Sequence, residues 1–262
     1  MVSQRDGGRE RRHDERERGY GQEQSEQEQA PAHLPWFRFA LESSPVVKIV
    51  RASGALDASV LDEAAACIRS GGTLIFPTDT VYGIGCAPEN AAAVDAIFAA
   101  KRRPPIKPLA IHLARADQAR DYACTIGVAA RALIDAFWPG PLALVVERNP
   151  GVAAAAACGG DTISLRCPDD DACRSILTAT GPLAATSANI SSLPPFSGDE
   201  RDIDALPPAT LAVIAGPPKE RRESTVLDCT SDTIRILRPG AIDAQTIAHA
   251  LRGLAPAVRL ER

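Results

Sequence analysis

Hydroxyl-bearing residues are concentrated in the segment PTDTVYGIG, residues 77–85, which directly follows a predicted strand. Two threonines, an aspartate and a tyrosine precede two glycines, so we predict a turn that presents hydroxyls and backbone N–H groups. Ligands of open α/β sheets bind at strand ends, which makes this turn a candidate ligand contact. An ordinary strand-to-helix turn explains the same pattern about equally well. The segment does not match a dinucleotide-binding fingerprint, because Pro88 stands where the third glycine would fall.

A cluster of cations follows a predicted helix and precedes the apolar strand LAIHL. Prolines within the cluster stiffen its backbone. Arginine binds phosphate oxygens through paired hydrogen bonds and lysine acts as a point charge, so the cluster suits a polyphosphate. No Walker-type phosphate loop occurs in the sequence, so any bound nucleotide must be held by side chains. A solvated surface is the simpler interpretation of these four residues alone, which are Lys101, Arg102, Arg103 and Lys107.

Three further segments combine polar side chains with predicted strands. In DTISLR, residues 161–166, alternation predicts that Thr162, Ser164 and Arg166 share one face, which suits a small carboxylate or is simply a wet strand face. In ATSANISS, Ser187 and Asn189 either bind a ligand or cap the next turn. ESTVLD and ILRPG, residues 223–228 and 236–240, add a serine and an arginine at strand ends; the lone His112, inside a strand, is more typical of a core residue.

These motifs lie on predicted strands and helices that alternate along the chain, which indicates an α/β domain. The C-terminal strands follow one another without intervening helices, so we expect a mixed sheet. Helices are predicted near 57–69, 91–100, 128–137, from 170, and 243–252. Strands are predicted near 46–50, 73–76, 109–113, 143–147, 161–166, 183–186, 211–214, 225–228 and 233–237.

Composition excludes several classes of protein. The 262 residues are 45% hydrophobic and 24% charged, which is typical of a globular domain. The longest apolar runs are too short to cross a membrane. A net charge of −4 argues against a global basic field for nucleic acid. Seven cysteines without a C-x-x-C pair indicate neither a disulfide framework nor a zinc site, so we expect a cytoplasmic protein.

The N-terminal segment differs from the rest of the chain. Residues 1–30 are rich in Arg, Glu and Gln and almost lack aliphatic side chains, so they cannot offset their ordering entropy by burial. They match neither a secretory nor an organellar targeting signal. We therefore predict a disordered or loosely ordered tail over residues 1–45, a folded domain over 46–255 and a short C-terminal tail over 256–262.

Taken in order, the motifs resemble the YrdC-like family, the threonylcarbamoyl-AMP synthases of tRNA modification. The resemblance covers about residues 55–245 and rests on PTDTVYGIG, KRRPPIKPL, FWPGPLALVV, ISLRCP, TSANIS, ESTV and LRPG. It implies a single-domain member of the family, with a twisted, mixed, open sheet flanked by helices and a basic ligand cleft. The C-terminal extension of the longer members has no counterpart in this sequence.

The resemblance also implies a reaction. L-threonine, bicarbonate or CO₂, and ATP give threonylcarbamoyl-AMP and pyrophosphate, with Mg²⁺ accompanying ATP, and a partner complex transfers the product to tRNA. This adenylation needs no covalent enzyme nucleophile, only orientation and charge stabilisation. Lys101 and Arg103 are implied as the catalytic pair on the phosphates. Threonine binding falls to Thr80, His112, Arg166 and Ser224, nucleotide binding also to Lys107, Thr162, Ser187, Asn189 and Arg238, and pocket shape to Tyr82.

The chain departs from the family pattern at two places. The family commonly has a small residue or asparagine where Lys107 stands. After SAN it reads SG-x-P-S-P, so a serine expected at the nucleotide is Pro195 in this chain. This change removes a hydroxyl and an N–H, for which backbone carbonyls or Ser197 could substitute.

Two alternatives share this fold. One is a non-catalytic module for RNA binding or ribosome maturation, with weak binding of tRNA or other RNA through the cations. A polyanion-binding module has no use for Arg166 and Ser224, which favours the enzyme. The other is the carbamoyl-transferring segment of hydrogenase-maturation proteins, whose acylphosphatase-like and zinc-finger segments are absent from this sequence.

Overall fold

A computed structural model of the chain describes residues 48–52, 54–220, 222–254 and 259–261. Helices and strands alternate along most of these residues, and short 3₁₀ helices cover Ala116–Gln118 and Glu200–Ala205. The α-helices are α1 (Ala58–Arg69), α2 (Ala91–Lys101), α3 (Ala119–Tyr122), α4 (Val128–Phe137), α5 (Asp171–Thr180) and α6 (Ala244–Ala250). The strands are β1 (Lys48–Arg51), β2 (Leu74–Phe76), β3 (Gly83–Cys86), β4 (Ala110–His112), β5 (Leu142–Glu147), β6 (Thr162–Arg166), β7 (Leu183–Ser187), β8 (Leu211–Ile214), β9 (Thr225–Asp228), β10 (Thr233–Arg238) and β11 (Arg259–Glu261).

The described strands form one open sheet in the order β1-β8-β2-β3-β7-β4-β6-β5-β9-β10-β11. The sheet contains both parallel pairs, such as β4 with β6, and antiparallel pairs, such as β5 with β6. The mixed α/β sheet that the sequence predicts is therefore confirmed. At its centre β4, β6 and β7 place His112 opposite both Arg166 and Leu183.

Helices pack on both faces of this sheet. Residues of α2, α4 and α6 join the larger core cluster, together with sheet residues such as Ile84, Ile111 and Leu165. Residues of α1 and α5 join the second cluster, with Leu74, Phe76 and Ala185 on the other face. On that second face the apolar cover stops near Ala185, and β4, β6, β5 and β9 continue beyond it.

Helix ends follow the local sequence signals. Gly71, with φ of 82°, stops α1 as predicted, because a left-handed backbone suits glycine. Asn90 caps α2 by accepting a hydrogen bond from the N–H of Ala93 at 3.1 Å. At the other end of α2, Arg102 adopts a left-handed conformation with φ of 51° and ends the helix. The reversal at Arg102 directs the chain into the proline-rich segment that begins with Arg103.

The structure corrects the predicted boundaries at two places. The predicted turn covers residues 77–85. In the structure only residues 77–82 form a turn, and Gly83–Cys86 form strand β3 between β2 and β7. Glycine suits this strand because a Cβ on Gly85 would lie 3.1 Å from both Phe76 and Ala185, closer than an ordinary contact. Residues 259–261, assigned to the C-terminal tail, pair with β10 as β11, so the sheet extends beyond residue 255.

Two sequence-based expectations concern parts of the chain that the structure leaves undescribed. The N-terminal tail over residues 1–45 lies outside the described residues, as do residues 255–258 and 262.

Among the helices that the structure describes, none combines the length and apolar character that crossing a bilayer requires.

Candidate active site

A cavity of about 370 Å³ lies on the sheet face where the cover of α1 and α5 ends. Its floor is made of short side chains on four adjacent strands, including Ala185, Ala110, Ser164 and Val145, which face one another in register. These short side chains leave room above the sheet for a ligand. The predicted site residues in its wall are Thr80, Arg103, His112, Thr162, Arg166, Ser187, Ser224 and Arg238.

The alternation predicted for β6 is present in the structure. Ile163 and Leu165 are 1% exposed and belong to the larger core cluster. Thr162 and Arg166 line the cavity from the same strand, as predicted from their shared parity. The sheet geometry therefore places a guanidinium beside a polar strand face.

Arg166 is 4% exposed and is held by three hydrogen bonds. It donates to Oδ1 of Asp79 at 2.5 Å, to Oγ1 of Thr80 at 2.8 Å and to the carbonyl of Gly140 at 3.2 Å. A guanidinium has five N–H donors, so two have no partner among the described residues, and Arg166 lines the cavity. These contacts fix the orientation of those two donors.

Asp79 and Gly140 also contribute to the site, although neither is among the predicted site residues. Asp79 is 2% exposed, and its Oδ2 atom has no hydrogen-bond partner among the described residues. A Cβ at position 140 would lie 2.4 Å from the carbonyl oxygen of Phe137, so only glycine fits. Both residues lie within motifs that carry the family resemblance, Asp79 in PTDTVYGIG and Gly140 in FWPGPLALVV. Their partner, Arg166, lies far along the chain and could not be read from local spacing.

The turn after β2 is held together by its own hydroxyls. Thr78 Oγ1 donates to the carbonyl of Val81 at 2.6 Å and lies 3.2 Å from Thr80 Oγ1. Tyr82 is fully buried, and its hydroxyl donates to the carbonyl of Gly216 at 2.7 Å. Burial raises the pKa of Tyr82 to about 12, so the phenol stays protonated. Tyr82 thus ties the turn to the segment that follows β8.

His112 lines the cavity as a neutral imidazole. Burial, and secondarily the positive charge of Arg166, lower its pKa to about 3. Its Nδ1 lies 3.4 Å from the carbonyl oxygen of Ala110, which can only accept a hydrogen bond. Nδ1 therefore carries the proton in this arrangement, and Nε2 is left as an acceptor. The ring stands edge-on to Phe76, with centroids 6.0 Å apart.

Two half-buried arginines complete the cavity wall. Arg103 donates to the carbonyls of Lys107 and Pro108, both at 2.9 Å, which fold the proline-rich segment around its guanidinium. Arg238 donates to the carbonyl of Ser224 at 2.9 Å and to its hydroxyl at 3.1 Å, and pairs with Glu223 at 3.1 Å. Burial and the nearby charge of Arg238 both lower the pKa of Arg103. Two cations therefore lie close enough to interact, which suits an anionic ligand.

Lys101, Lys107 and Asn189 are not part of the cavity wall. Lys101 is 1% exposed, and its ammonium donates to the carbonyls of Ser187 and Asn189 and to Asn189 Oδ1. Lys107 is exposed to solvent. Asn189 is 8% exposed, with its amide bonded within its own loop. The structure thus brings eight of the eleven predicted residues to one cavity and leaves these three outside it.

A second cavity of about 660 Å³ adjoins the first and shares Val81 and Glu223 with it. Pro195, which replaces the serine of the family pattern, lies in its wall. Ser197 also lies there, but its hydroxyl donates to Asp202 at 2.9 Å and accepts from the N–H of Asp199. Ser197 is therefore engaged within its own loop.

The described residues do not build a protein-held Mg²⁺ site. Among them no three His, Cys, Asp or Glu side chains form a cluster that could hold a metal ion. Glu223 is the acidic residue of the 370 Å³ cavity wall, and it pairs with Arg238. This donor set does not fit a resident divalent cation.

Two curated relatives of this chain carry the name threonylcarbamoyl-AMP synthase. A threonylcarbamoyl-AMP synthase of Bacillus subtilis is 35% identical over 188 residues, 71% of this chain and 54% of the relative. A putative threonylcarbamoyl-AMP synthase of Mycobacterium tuberculosis is 35% identical over 189 residues, 72% of this chain and 87% of the relative. This chain thus spans about half the length of the Bacillus protein and most of the mycobacterial one.

A solved structure and a family model agree with these relatives. The structure of P. abyssi Sua5 complexed with L-threonine superposes with a TM-score of 0.75 at 32% identity, covering 81% of this chain and 62% of that chain. The Sua5/YciO/YrdC family model, described as telomere recombination, matches residues 66–240. The chain therefore belongs to the Sua5/YciO/YrdC family.

Proposed function

We propose that the protein is an L-threonylcarbamoyladenylate synthase, which joins L-threonine, bicarbonate or CO₂, and ATP and releases pyrophosphate. The observation that carries this proposal is one cavity that combines the buried, fixed Arg166 with the half-buried pair Arg103 and Arg238. A zwitterionic amino acid and a polyphosphate need these two kinds of site side by side. The names of the relatives and the bound L-threonine of P. abyssi Sua5 support the same substrates.

In this proposal Arg166 binds the threonine carboxylate through its two remaining N–H donors. Thr80 and Ser224 line the same cavity and offer hydroxyls to the rest of the amino acid. His112 offers Nε2 as an acceptor for an N–H or O–H of threonine, because its imidazole is neutral. A neutral imidazole also avoids repelling the ammonium group.

Arg103 and Arg238 would bind the phosphates, with Thr162 and Ser187 contacting the rest of the nucleotide. The threonine amine adds to CO₂ and loses a proton, and a carbamate oxygen then attacks the α-phosphorus. The bond between the α- and β-phosphates breaks, and pyrophosphate leaves. The contribution of the protein is to hold the two reactants together and to stabilise charge on the phosphates. This makes the enzyme a nucleotidyltransferase.

Mg²⁺ would arrive with the triphosphate, because the cavity wall supplies no ligand cluster for it. Bound to ATP, it would neutralise phosphate charge that the two arginines leave uncompensated. The product, a mixed anhydride, requires a transferase that accepts an acyl-adenylate. We propose that this acceptor is the threonylcarbamoyl-transfer complex that acts on tRNA.

The proposal is tested by identifying the product. Purified protein is incubated with L-threonine, ATP, Mg²⁺ and ¹³C-bicarbonate, and the quenched mixture is analysed by mass spectrometry. We expect an adenylate that contains both threonine and the ¹³C atom. An adenylate without ¹³C would contradict the carbamate route, and the absence of any adenylate would favour the RNA-binding alternative.

A further inference from the structure

Lys101 is a buried cation whose ammonium protons are all used within the chain. Its Nζ donates to the carbonyl oxygen of Ser187, to that of Asn189 at 2.6 Å and to Oδ1 of Asn189 at 2.9 Å. A lysine ammonium has three N–H donors and no acceptor. With three partners and 1% exposure, it has no donor left for a phosphate oxygen.

Asn189 extends this arrangement through the loop after β7, residues 188–193. Its Nδ2 donates to the carbonyls of Ile190 at 3.0 Å and Leu193 at 2.5 Å, so the orientation of the amide is fixed by its neighbours. The N–H of Ser191 donates to the carbonyl of Lys101 at 2.8 Å. The loop is therefore closed around the ammonium by backbone and side-chain contacts.

These contacts also determine what Ser187 presents to the cavity. Ser187 Oγ lies 2.6 Å from Asn189 Oδ1, which can only accept a hydrogen bond. The hydroxyl proton of Ser187 is therefore directed to Asn189, and its lone pairs are left for the cavity. A lone pair repels a bare phosphate oxygen but accepts a hydrogen bond from a hydroxyl or an amino group.

Arg103 differs from Lys101 in its position relative to the cavity and in the number of N–H donors that its hydrogen bonds use. It lines the cavity, and its guanidinium makes two hydrogen bonds with the described residues, which leaves three of its five N–H donors without a partner among them. The two residues are separated by one position in the sequence. They nevertheless lie on opposite sides of the left-handed turn at Arg102.

We propose that Lys101 is a positioning residue, which holds the loop after β7 and fixes Ser187 as a hydrogen-bond acceptor, while Arg103 contacts the phosphates. This inference rests on the proposed function in one respect, that a nucleotide binds the cavity. We therefore expect substitution of Lys101 to weaken binding of the nucleoside and of the phosphates equally, and substitution of Arg103 to weaken binding of the phosphates alone.

The first experiment compares the affinities of ATP and adenosine for the wild type, Lys101→Met and Arg103→Met. For Lys101→Met we expect both affinities to fall by the same factor, within about twofold. For Arg103→Met we expect the ATP affinity to fall at least about tenfold more than the adenosine affinity, because a charge-assisted hydrogen bond is lost. A selective loss of ATP affinity in Lys101→Met would overturn the proposal.

A destabilised control separates positioning from a general loss of stability. Leu133 is fully buried in the core cluster on the other sheet face. We expect Leu133→Ala to be less stable, because it leaves a void in the core away from the cavity, and to keep both affinities below its unfolding transition. If Leu133→Ala lost both affinities as Lys101→Met does, the positioning role would be contradicted.

The second experiment uses the wild-type protein and needs no variant to fold. An amine-acylating reagent is applied with and without ATP, and the modified lysines are quantified by mass spectrometry. We expect Lys101 to react at least about tenfold more slowly than the exposed Lys107 in both conditions, because its reaction requires local opening. Reaction of Lys101 at the rate of Lys107, with protection by ATP, would overturn the proposal.

The two experiments also distinguish this inference from the proposed function. If the wild type bound neither ATP nor adenosine, the proposed function would be contradicted. The labelling of Lys101 in the nucleotide-free protein would still decide its role. Slow labelling supports the positioning role, and fast labelling refutes it.

Discussion

Arg166 is the side chain on which most of the site geometry depends. Its charge is buried and is compensated by Asp79, while Thr80 and Gly140 accept its other hydrogen bonds. Removing one member of a buried ion pair leaves an uncompensated charge, which costs more than the pair contributes. The pair therefore fixes the orientation of Arg166 and makes the loss of either partner destabilising.

Asp79→Asn tests this pair. We expect the variant to lose about 3–5 kcal/mol of unfolding free energy, because Arg166 stays buried without its counter-charge. Urea unfolding measures the loss. Asp117→Asn is the matched control: Asp117 pairs with Arg115 at 3.1 Å, and both side chains are more than half exposed, so its loss should be much smaller. Equal losses in the two variants would refute the role of Asp79.

His112 makes stability depend on pH. Its pKa is about 3 in the folded protein, against 6.5 for an ordinary histidine. At pH values between about 3 and 6.5 this histidine binds more protons in the unfolded chain than in the folded protein. The free energy of unfolding is therefore highest above pH 6.5 and falls as the pH falls. From pH 7 to pH 5 we expect a loss of about 2 kcal/mol from this residue.

Urea unfolding at pH 5 and pH 7 measures this dependence. His112→Gln should show a loss smaller than the wild type by that amount. Leu133→Ala, a change at a buried residue that does not titrate, should keep the wild-type dependence. An unchanged dependence in His112→Gln would show that another group titrates.

At the scale of elements, the site is assembled where the β9 and β10 ends meet. Arg238, at the end of β10, donates to both oxygens of Ser224 next to β9. Gly240 allows this approach, because a Cβ there would lie 2.4 Å from backbone atoms of Ser224 and Thr225. The glycine of the LRPG motif is thus required by close packing.

Gly240→Ala should therefore lower the unfolding free energy by about 1–3 kcal/mol and weaken ATP binding, because Ser224 and Arg238 move apart. Thermal unfolding and titration with ATP measure the two effects. Gly127→Ala adds the same methyl group where nothing lies within 4 Å, so it should change stability by less than about 1 kcal/mol and leave ATP binding intact. Wild-type affinity in Gly240→Ala would contradict the packing argument.

The sequence predicts elements better than contacts between them. The helix over 128–137 and the alternation of β6 follow from local patterns and are confirmed. Strand β3 was missed because Gly83 and Gly85 are typical of turns. What favours glycine there is the close approach of Phe76 and Ala185 on the neighbouring strands, which local sequence does not show. The burial of Lys101 was missed for the same reason: its acceptors lie 86 and 88 positions away.

At the scale of the whole molecule, the cavity exists because helices cover only part of one sheet face. The second core cluster, with α1 and α5, ends at Ala185, and the short side chains beyond it form the cavity floor. The motifs that carry the family resemblance also supply residues of the cavity wall. All residues that line the cavity lie between Thr78 and Arg238, outside the charged N-terminal segment.

Deleting residues 1–30 should leave the melting temperature and the activity almost unchanged, because their composition cannot support a packed core. Differential scanning calorimetry and the synthase assay check the two quantities. A large loss of either quantity would show that the segment contributes to the fold or the site.

Pyrophosphate release by the purified protein, in bicarbonate buffer with Mg²⁺, tests the proposed synthase activity. ATP, L-threonine and bicarbonate are omitted in turn. We predict release only when all three are present, and its loss in Arg166→Ala. Release that is independent of threonine, or no release from a folded protein that binds ATP, would contradict the assignment as a synthase.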